Sequence, residues 1–233
     1  MMFYMENIKN WESKFQPCEY SDKLLNLITE LNKTARASVN ILEIKKACYY
    51  AREYHGSQLR KSGHPYYYHP IEVAYLFALY VGNNIDIYYT TDLIVTAILH
   101  DTVEDTNLTY DMIVHIFGKN VADGVKDLTR IKDGVKITAE YSLDLLLLDR
   151  KKAIILIKTF DRLHNAMTIR SMPPKKIVSI LQETARKFLF CSIYMEAPHV
   201  EKELMKICLN YLPQQKTQYK FSSHDNFELP SLV

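Results

Sequence analysis

An apolar run, Leu93-Ile94-Val95-Thr96-Ala97-Ile98-Leu99, passes without a break into His100-Asp101. Glu104 and Asp105 follow within about one helical turn. A chain with this feature has to bury a helix whose polar end brings an imidazole and several carboxylates to one spot. That donor mixture suits a borderline divalent ion such as Mn²⁺, Fe²⁺ or Zn²⁺ better than Ca²⁺, which takes oxygen alone. An isolated His-Asp pair is more often a capped helix end with solvated acids, so the ligand reading depends on further donors elsewhere.

The rest of the chain reads as helix. Apolar residues recur at helical spacing in Leu24 to Leu31, Ile41 to Ala51, Ile71 to Leu79, Tyr110 to Phe117 and Val121 to Thr129. A long helix is expected over 143–170, interrupted near Asp149, then others over 175–196 and from Pro198 to Leu212. Asn40 and Thr109 are expected caps, and so is Ser21-Asp22 for the first helix. Residues 56–68 form a loop broken by Gly56, Gly63 and Pro65. Residues 81–91 and 131–142 are expected as polar connections. Strand signals are weak, with Tyr66-Tyr67-Tyr68 the best short candidate. The expected fold class is all-α, a single helical bundle of about nine helices. Residues 1–20 are expected as a leader with Trp11 and Phe15 docked, 21–212 as the domain, and 213–233 as a loosely packed tail.

Composition narrows the function classes. A net charge of +2 from 29 basic and 27 acidic residues argues against a DNA- or RNA-binding surface. No apolar run reaches the roughly 18 residues of a membrane span, and the N-terminus lacks a signal-peptide apolar region. Cys18, Cys48, Cys191 and Cys208 include no C-x-x-C pair and read as reduced thiols. Together these predict a cytoplasmic protein. With 6 glycines and no glycine-rich loop, phosphate chemistry would fall to side chains and metal. Oligomeric state has no signature in the sequence.

Two further positions can complete a metal shell. His69 stands at a loop-to-helix junction. Asp161 follows the apolar Ala153 to Ile157, where a carboxylate is costly unless paired or bound to metal. Asn165 and Thr168 share its helical face, and His164 flanks it. Taken singly, His69 reads as a satisfied loop histidine and Asp161-Arg162 as a surface ion pair. His55, His64, His115, His199 and His224 are not read as ligands.

The order His69, then His100-Asp101, then Asp161, resembles the HD superfamily of metal-dependent phosphohydrolases. More narrowly, the chain resembles the hydrolase domain of RelA/SpoT-type alarmone enzymes. The matching stretches are His55-Gly56-Ser57-Gln58-Leu59-Arg60-Lys61-Ser62-Gly63, Pro65-Tyr66, His69-Pro70-Ile71-Glu72-Val73-Ala74, Leu99 to Thr106, Phe117 to Val121, Ile157 to Asn165 and Glu183-Thr184. They extend over about residues 40–212.

The resemblance implies a Mn²⁺ held by His69, His100, Asp101 and Asp161, although the donor set alone equally admits Fe²⁺ or Zn²⁺. It implies Glu104 and Asp105 as the acid/base pair beside the attacking water. It implies Arg60, Lys61, Ser62, Arg130, Asn165 and Thr168 as substrate-binding residues. The expected substrate is a guanosine polyphosphate, ppGpp or pppGpp, cleaved to GDP or GTP and pyrophosphate. The length predicts a stand-alone hydrolase without synthetase activity. Alternatives are hydrolysis of another phosphorylated nucleotide, such as a 2′- or 3′-phosphate, or a catalytically silent nucleotide sensor. Three departures from the family pattern fall near the substrate: His64 in Gly63-His64-Pro65-Tyr66, Arg130 in place of a Lys, and Ala166-Met167-Thr168 in place of Met-Arg-Thr.

Overall fold

The computed structural model describes residues 10–132 and 134–211. The expected tail at 213–233 and the first part of the leader lie outside them. The helices are α1 (Trp11–Lys14), α2 (Glu19–Leu31), α3 (Ile41–His55), α4 (Tyr68–Asn84), α5 (Thr91–Leu99), α6 (Thr102–Asp105), α7 (Tyr110–Phe117) and α8 (Lys119–Leu128). They continue as α9 (Ala139–Leu148), α10 (Lys152–Met167), α11 (Pro174–Glu183), α12 (Leu189–Tyr194) and α13 (Pro198–Tyr211). The all-α class is as expected.

α5 is the central element. It packs on α3, α4 and α8, while α4 also packs on α2 and α10. Ile94, Ala97, Ile98 and Leu99 are fully buried, together with Phe77 of α4 and Ile155 and Leu156 of α10. Burying each large aliphatic or aromatic side chain contributes about 1.5–3 kcal/mol. The α5–α8 crossing depends on Gly124, where a Cβ would lie 2.8 Å from Thr96 Cγ2 and 3.0 Å from its Oγ1. Trp11 is buried, and Phe15 packs against the core.

Several boundaries differ from the sequence reading, each for a local reason. The first helix begins at Glu19 rather than after Ser21, because the Ser21 hydroxyl donates back to the Cys18 carbonyl at 2.9 Å. Asn40 caps α3 as expected, accepting from Leu42 N at 3.0 Å. The connection at 81–91 is mostly ordered into the body. α4 runs to Asn84, a 3₁₀ turn spans Asp86–Tyr88, and buried Tyr89 donates to Asn32 Oδ1 at 3.0 Å. The tyrosine run forms no strand, since Tyr68 already opens α4. The segment 131–142 instead holds a short antiparallel hairpin, Ile131–Lys132 with Val135–Lys136, before α9 begins. The break near Asp149 is real, with Arg150 at φ 55°. A π-helical turn at Thr184–Phe188 joins α11 to α12. As expected, Cys48, Cys191 and Cys208 are buried, and all four thiols are free.

Candidate active site

Where α5 ends, the chain turns through His100-Asp101 and restarts as α6. Burial fixes His100: its Nδ1 lies 2.8 Å from the Ala97 carbonyl and must donate to it. Nε2 faces the cluster, buried and without a hydrogen-bond partner, and is a lone pair whenever the ring is neutral. It lies 3.2 Å from Asp101 Oδ1 and 3.8 Å from Asp161 Oδ1. His69, at the start of α4, approaches from the other side, with Nε2 3.0 Å from Asp161 Oδ1 and 3.5 Å from Asp101 Oδ2. Three helices thus bring two imidazoles and two carboxylates together. Asp161 is not paired to Arg162, which instead bonds Glu183 Oε2 at 2.7 Å.

The electrostatics of this cluster call for a cation. Burial opposes charge on His100, but Asp101 and Asp161 outweigh it and push the imidazole up to about 9. Burial would raise both aspartates, yet the adjacent histidines outweigh it and hold them well below the usual carboxylate range. Burial lowers His69. A lone pair pointed at two carboxylates is repulsive unless a proton or a metal sits between them, so the donor set fits a divalent ion. His69 is supported from behind by His164, with the two Nδ1 atoms 2.7 Å apart. Burial, His69 and Arg60 lower His164 to about 3, so its neutral ring can accept the His69 proton. That tautomer frees His69 Nε2 as a second lone pair.

A cleft of about 510 Å³ opens over the cluster. Arg60, Lys61, Glu104, Asp105, Arg130 and Asn165 line it as well. Asn165 joins two of these parts, since Arg60 Nη2 donates to its Oδ1 at 2.7 Å and its Nδ2 donates to Asp161 Oδ1 at 2.6 Å. Glu104 accepts from the Arg130 backbone N–H at 3.0 Å and from Arg130 Nη2 at 2.8 Å. Lys136, on the second hairpin strand, lies 2.8 Å from the same carboxylate.

Two substrate-binding candidates stand elsewhere. Ser62 Oγ lies 3.1 Å from His64 Nδ1 in the exposed loop. Thr168 caps α10, and its hydroxyl donates to the His164 carbonyl at 3.0 Å, beside its own backbone N–H, which reaches the same carbonyl at 3.2 Å. Neither lines the cleft. Sequence reasoning gave no role to Tyr66, whose hydroxyl lies 2.8 Å from Asp105 Oδ2 and 3.1 Å from Asp101 Oδ2. Its place in Pro65-Tyr66, four residues before Pro70, was the available signal. Lys136, Lys158 and the support from His164 were missed for lack of any local pattern.

A family model described as the HD domain matches residues 47–189. The chain belongs to the HD domain family. Curated relatives of this HD domain include the GTP pyrophosphokinase rsh of Brucella abortus (strain 2308), 34% identical over 183 residues. That match covers 76% of this chain and 24% of the relative. The probable GTP diphosphokinase RSH3, chloroplastic, of Arabidopsis thaliana is 30% identical over 197 residues, covering 78% and 26%. This HD domain therefore spans about a quarter of the length of these relatives. A solved structure described as a metazoan ortholog of SpoT that hydrolyzes ppGpp superposes with a TM-score of 0.57 at 20% identity. The superposition covers 72% of this chain and 94% of that one, and establishes a common fold. The family is the RelA/SpoT branch of HD domains, as the motif order implied. Among the described residues no helix is long and apolar enough to cross a membrane.

Proposed function

We propose that this HD domain is a metal-dependent hydrolase that removes the 3′-pyrophosphate of ppGpp or pppGpp, with no synthesis of the alarmone. The carrying observation is that His69, His100, Asp101 and Asp161 converge at the floor of a cleft lined by Arg60, Lys61 and Arg130. The names of the relatives support a guanosine polyphosphate substrate.

His69, His100, Asp101 and Asp161 would hold the ion, with Mn²⁺ the first candidate. When bound, the ion would polarise the phosphate and lower the pKa of water at the site. Arg60 and Lys61 bind the nucleotide end, Arg being suited to a purine face or a phosphate. Asn165 fixes Arg60 against the Asp161 helix. Asp105 takes the proton from the attacking water. Burial and the neighbouring Asp101 and Glu104 charges raise it above the usual aspartate value, which makes it the stronger base of the adjacent pair. Water oxygen bonds to the phosphorus carried on O3′, the P–O3′ bond breaks, and O3′ leaves with the proton that Asp105 returns. Tyr66 has one hydroxyl proton and two carboxylates to serve, so it donates to Asp101 when Asp105 is protonated and to Asp105 when it is not.

Pyrophosphate release from ppGpp, with and without Mn²⁺, tests this for wild type and Asp105→Asn. Mn²⁺-dependent release that the variant loses supports the proposal. Absence of release from Mn²⁺-loaded wild type sinks it. One observation favours a second reading, hydrolysis of another phosphorylated nucleotide. The Thr168 hydroxyl is committed to a helix carbonyl and does not face the cleft. A panel of 2′- and 3′-phosphorylated nucleotides decides between the two readings by the preferred substrate.

A further inference from the structure

Lys158 stands one turn before Asp161 on α10 and is 6% exposed. Its one hydrogen bond among the described residues is a 3.4 Å contact to the carbonyl of Leu128, the last residue of α8. An ammonium carries three donors, so most of its capacity is unfilled. The carboxylates around it are committed elsewhere. Glu104 is held by Arg130 and Lys136, and Asp161 accepts from Asn165. The side chain nonetheless lines the same cleft as Asp101, Glu104, Arg130 and Asp161. A lysine buried without an ion-pair partner weakens the fold, and Met or Leu would fill the space at lower cost. The negative end of α8 offsets part of that cost and directs the ammonium at the cleft floor.

Resting on the phosphohydrolase reading, we propose that Lys158 is a substrate-binding residue whose ammonium receives an oxygen of the phosphate group seated over the His69–His100–Asp101–Asp161 cluster. A compact point charge suits this place. It lines the cleft with the cluster, and a phosphate oxygen would complete its donors, whereas one arm of the Arg60 fork is already committed to Asn165. The group bound is a phosphate or diphosphate whichever nucleotide carries it.

The test is calorimetric binding of pyrophosphate to the Mn²⁺-loaded protein, for wild type, Lys158→Met and Lys158→Gln. Loss of one charged hydrogen bond predicts pyrophosphate affinity about 10- to 100-fold weaker in Lys158→Met. Mn²⁺ affinity should be unchanged, and the Tm without ligand equal or higher. Lys158→Gln, which keeps a donor but no charge, should fall between. Unchanged pyrophosphate affinity overturns the proposal. So does a lowered Tm with affinity intact, which would mark Lys158 as a prop for the end of α8. If wild type leaves ppGpp intact but binds pyrophosphate through Lys158, the alarmone reading falls and this inference stands. If Lys158→Met turns over ppGpp with unchanged kcat and KM and binds pyrophosphate normally, the reverse holds.

Discussion

Glu104 and Asp105 are adjacent in the chain and occupy opposite electrostatic environments. Glu104 is clamped by the Arg130 backbone, the Arg130 guanidinium and Lys136, all within 3.0 Å. Asp105 faces Tyr66 and the Asp101 charge. Burial would raise both, but the cations pull Glu104 below its usual value while Asp101 and Glu104 push Asp105 up. Two carboxylates whose surroundings drive them apart take different roles. In the proposed reaction Asp105 would carry the proton, while Glu104 anchors the Arg130 segment and the second hairpin strand.

Substitution separates these roles. Asp105→Asn should lower kcat about 10²- to 10⁴-fold with KM little changed. Glu104→Gln should move KM as well as kcat, because Arg130 and Lys136 lose their shared anchor. Steady-state kinetics on the two variants checks this, and equal effects on kcat alone would refute the division.

The Glu104 clamp also has a pH signature in stability. Its folded-state pKa lies below the unfolded value of about 4.3. Its stabilising contribution is therefore full above that value and is lost as pH falls through the folded one. Wild type should be more stable than Glu104→Gln at neutral pH. The gap should close on acidification below about pH 4. Denaturant unfolding of both, without metal, at a series of pH values measures it.

Metal should stabilise the fold. At a hundredfold excess over its Kd, an ion that binds only the native state adds about 2.7 kcal/mol, or roughly 5–10 °C in Tm for a chain of this size. Mn²⁺ should raise the Tm of wild type by that order and leave His100→Ala unmoved. Differential scanning fluorimetry with a chelator control reads the shift.

Asn165 couples two functions, since Arg60 bonds one end of its amide and Asp161 the other. Asn165→Ala should weaken both nucleotide binding and metal binding, each by about 10- to 100-fold. Asn165→Asp should do worse, because a second carboxylate beside Asp161 is repulsive and only protonation restores a donor there. Mn²⁺ titration and KM, measured on the same preparations, test the coupling.

Two helical glycines predict opposite outcomes for the same substitution. Gly124→Ala meets the short, buried Thr96, whose hydroxyl is tied to the Asp92 carbonyl at 2.7 Å. It should destabilise by about 1–3 kcal/mol. Gly82→Ala meets only the methyl ends of Leu31. It should be near neutral, since helix propensity returns up to about 1 kcal/mol. Chemical denaturation of the two variants decides it.

Helix positions were legible because burial of one face writes a 3.6-residue period into the sequence, and α3, α5 and α8 follow it closely. The four converging donors were legible through the order that resembles the HD family, since taken singly each reads as an ordinary residue and Asp161 lies midway along α10. The hairpin at 131–136 was not, since Val135 and Ile131 are exposed and leave no alternating pattern. Lys136 and Lys158 were hidden for a related reason. Lys136 reaches Glu104 and Lys158 reaches the cleft through tertiary placement, 32 and 54 residues after Glu104 in sequence. Thr168 shares the Asp161 face by spacing alone, but α10 stops at Met167 and its hydroxyl turns to cap the end.

The converging donors come from positions 69, 100, 101 and 161: two helices and the turn between α5 and α6. No local stretch of the chain contains the centre, and in the unfolded ensemble its parts are separated by loops whose closure is entropically opposed. An ion held there would therefore not seed folding as it does in a small zinc module. Metal capture during refolding should trail the docking of α10 onto α4 and α5. The rate of that capture then becomes a clock for the last long-range contact to form.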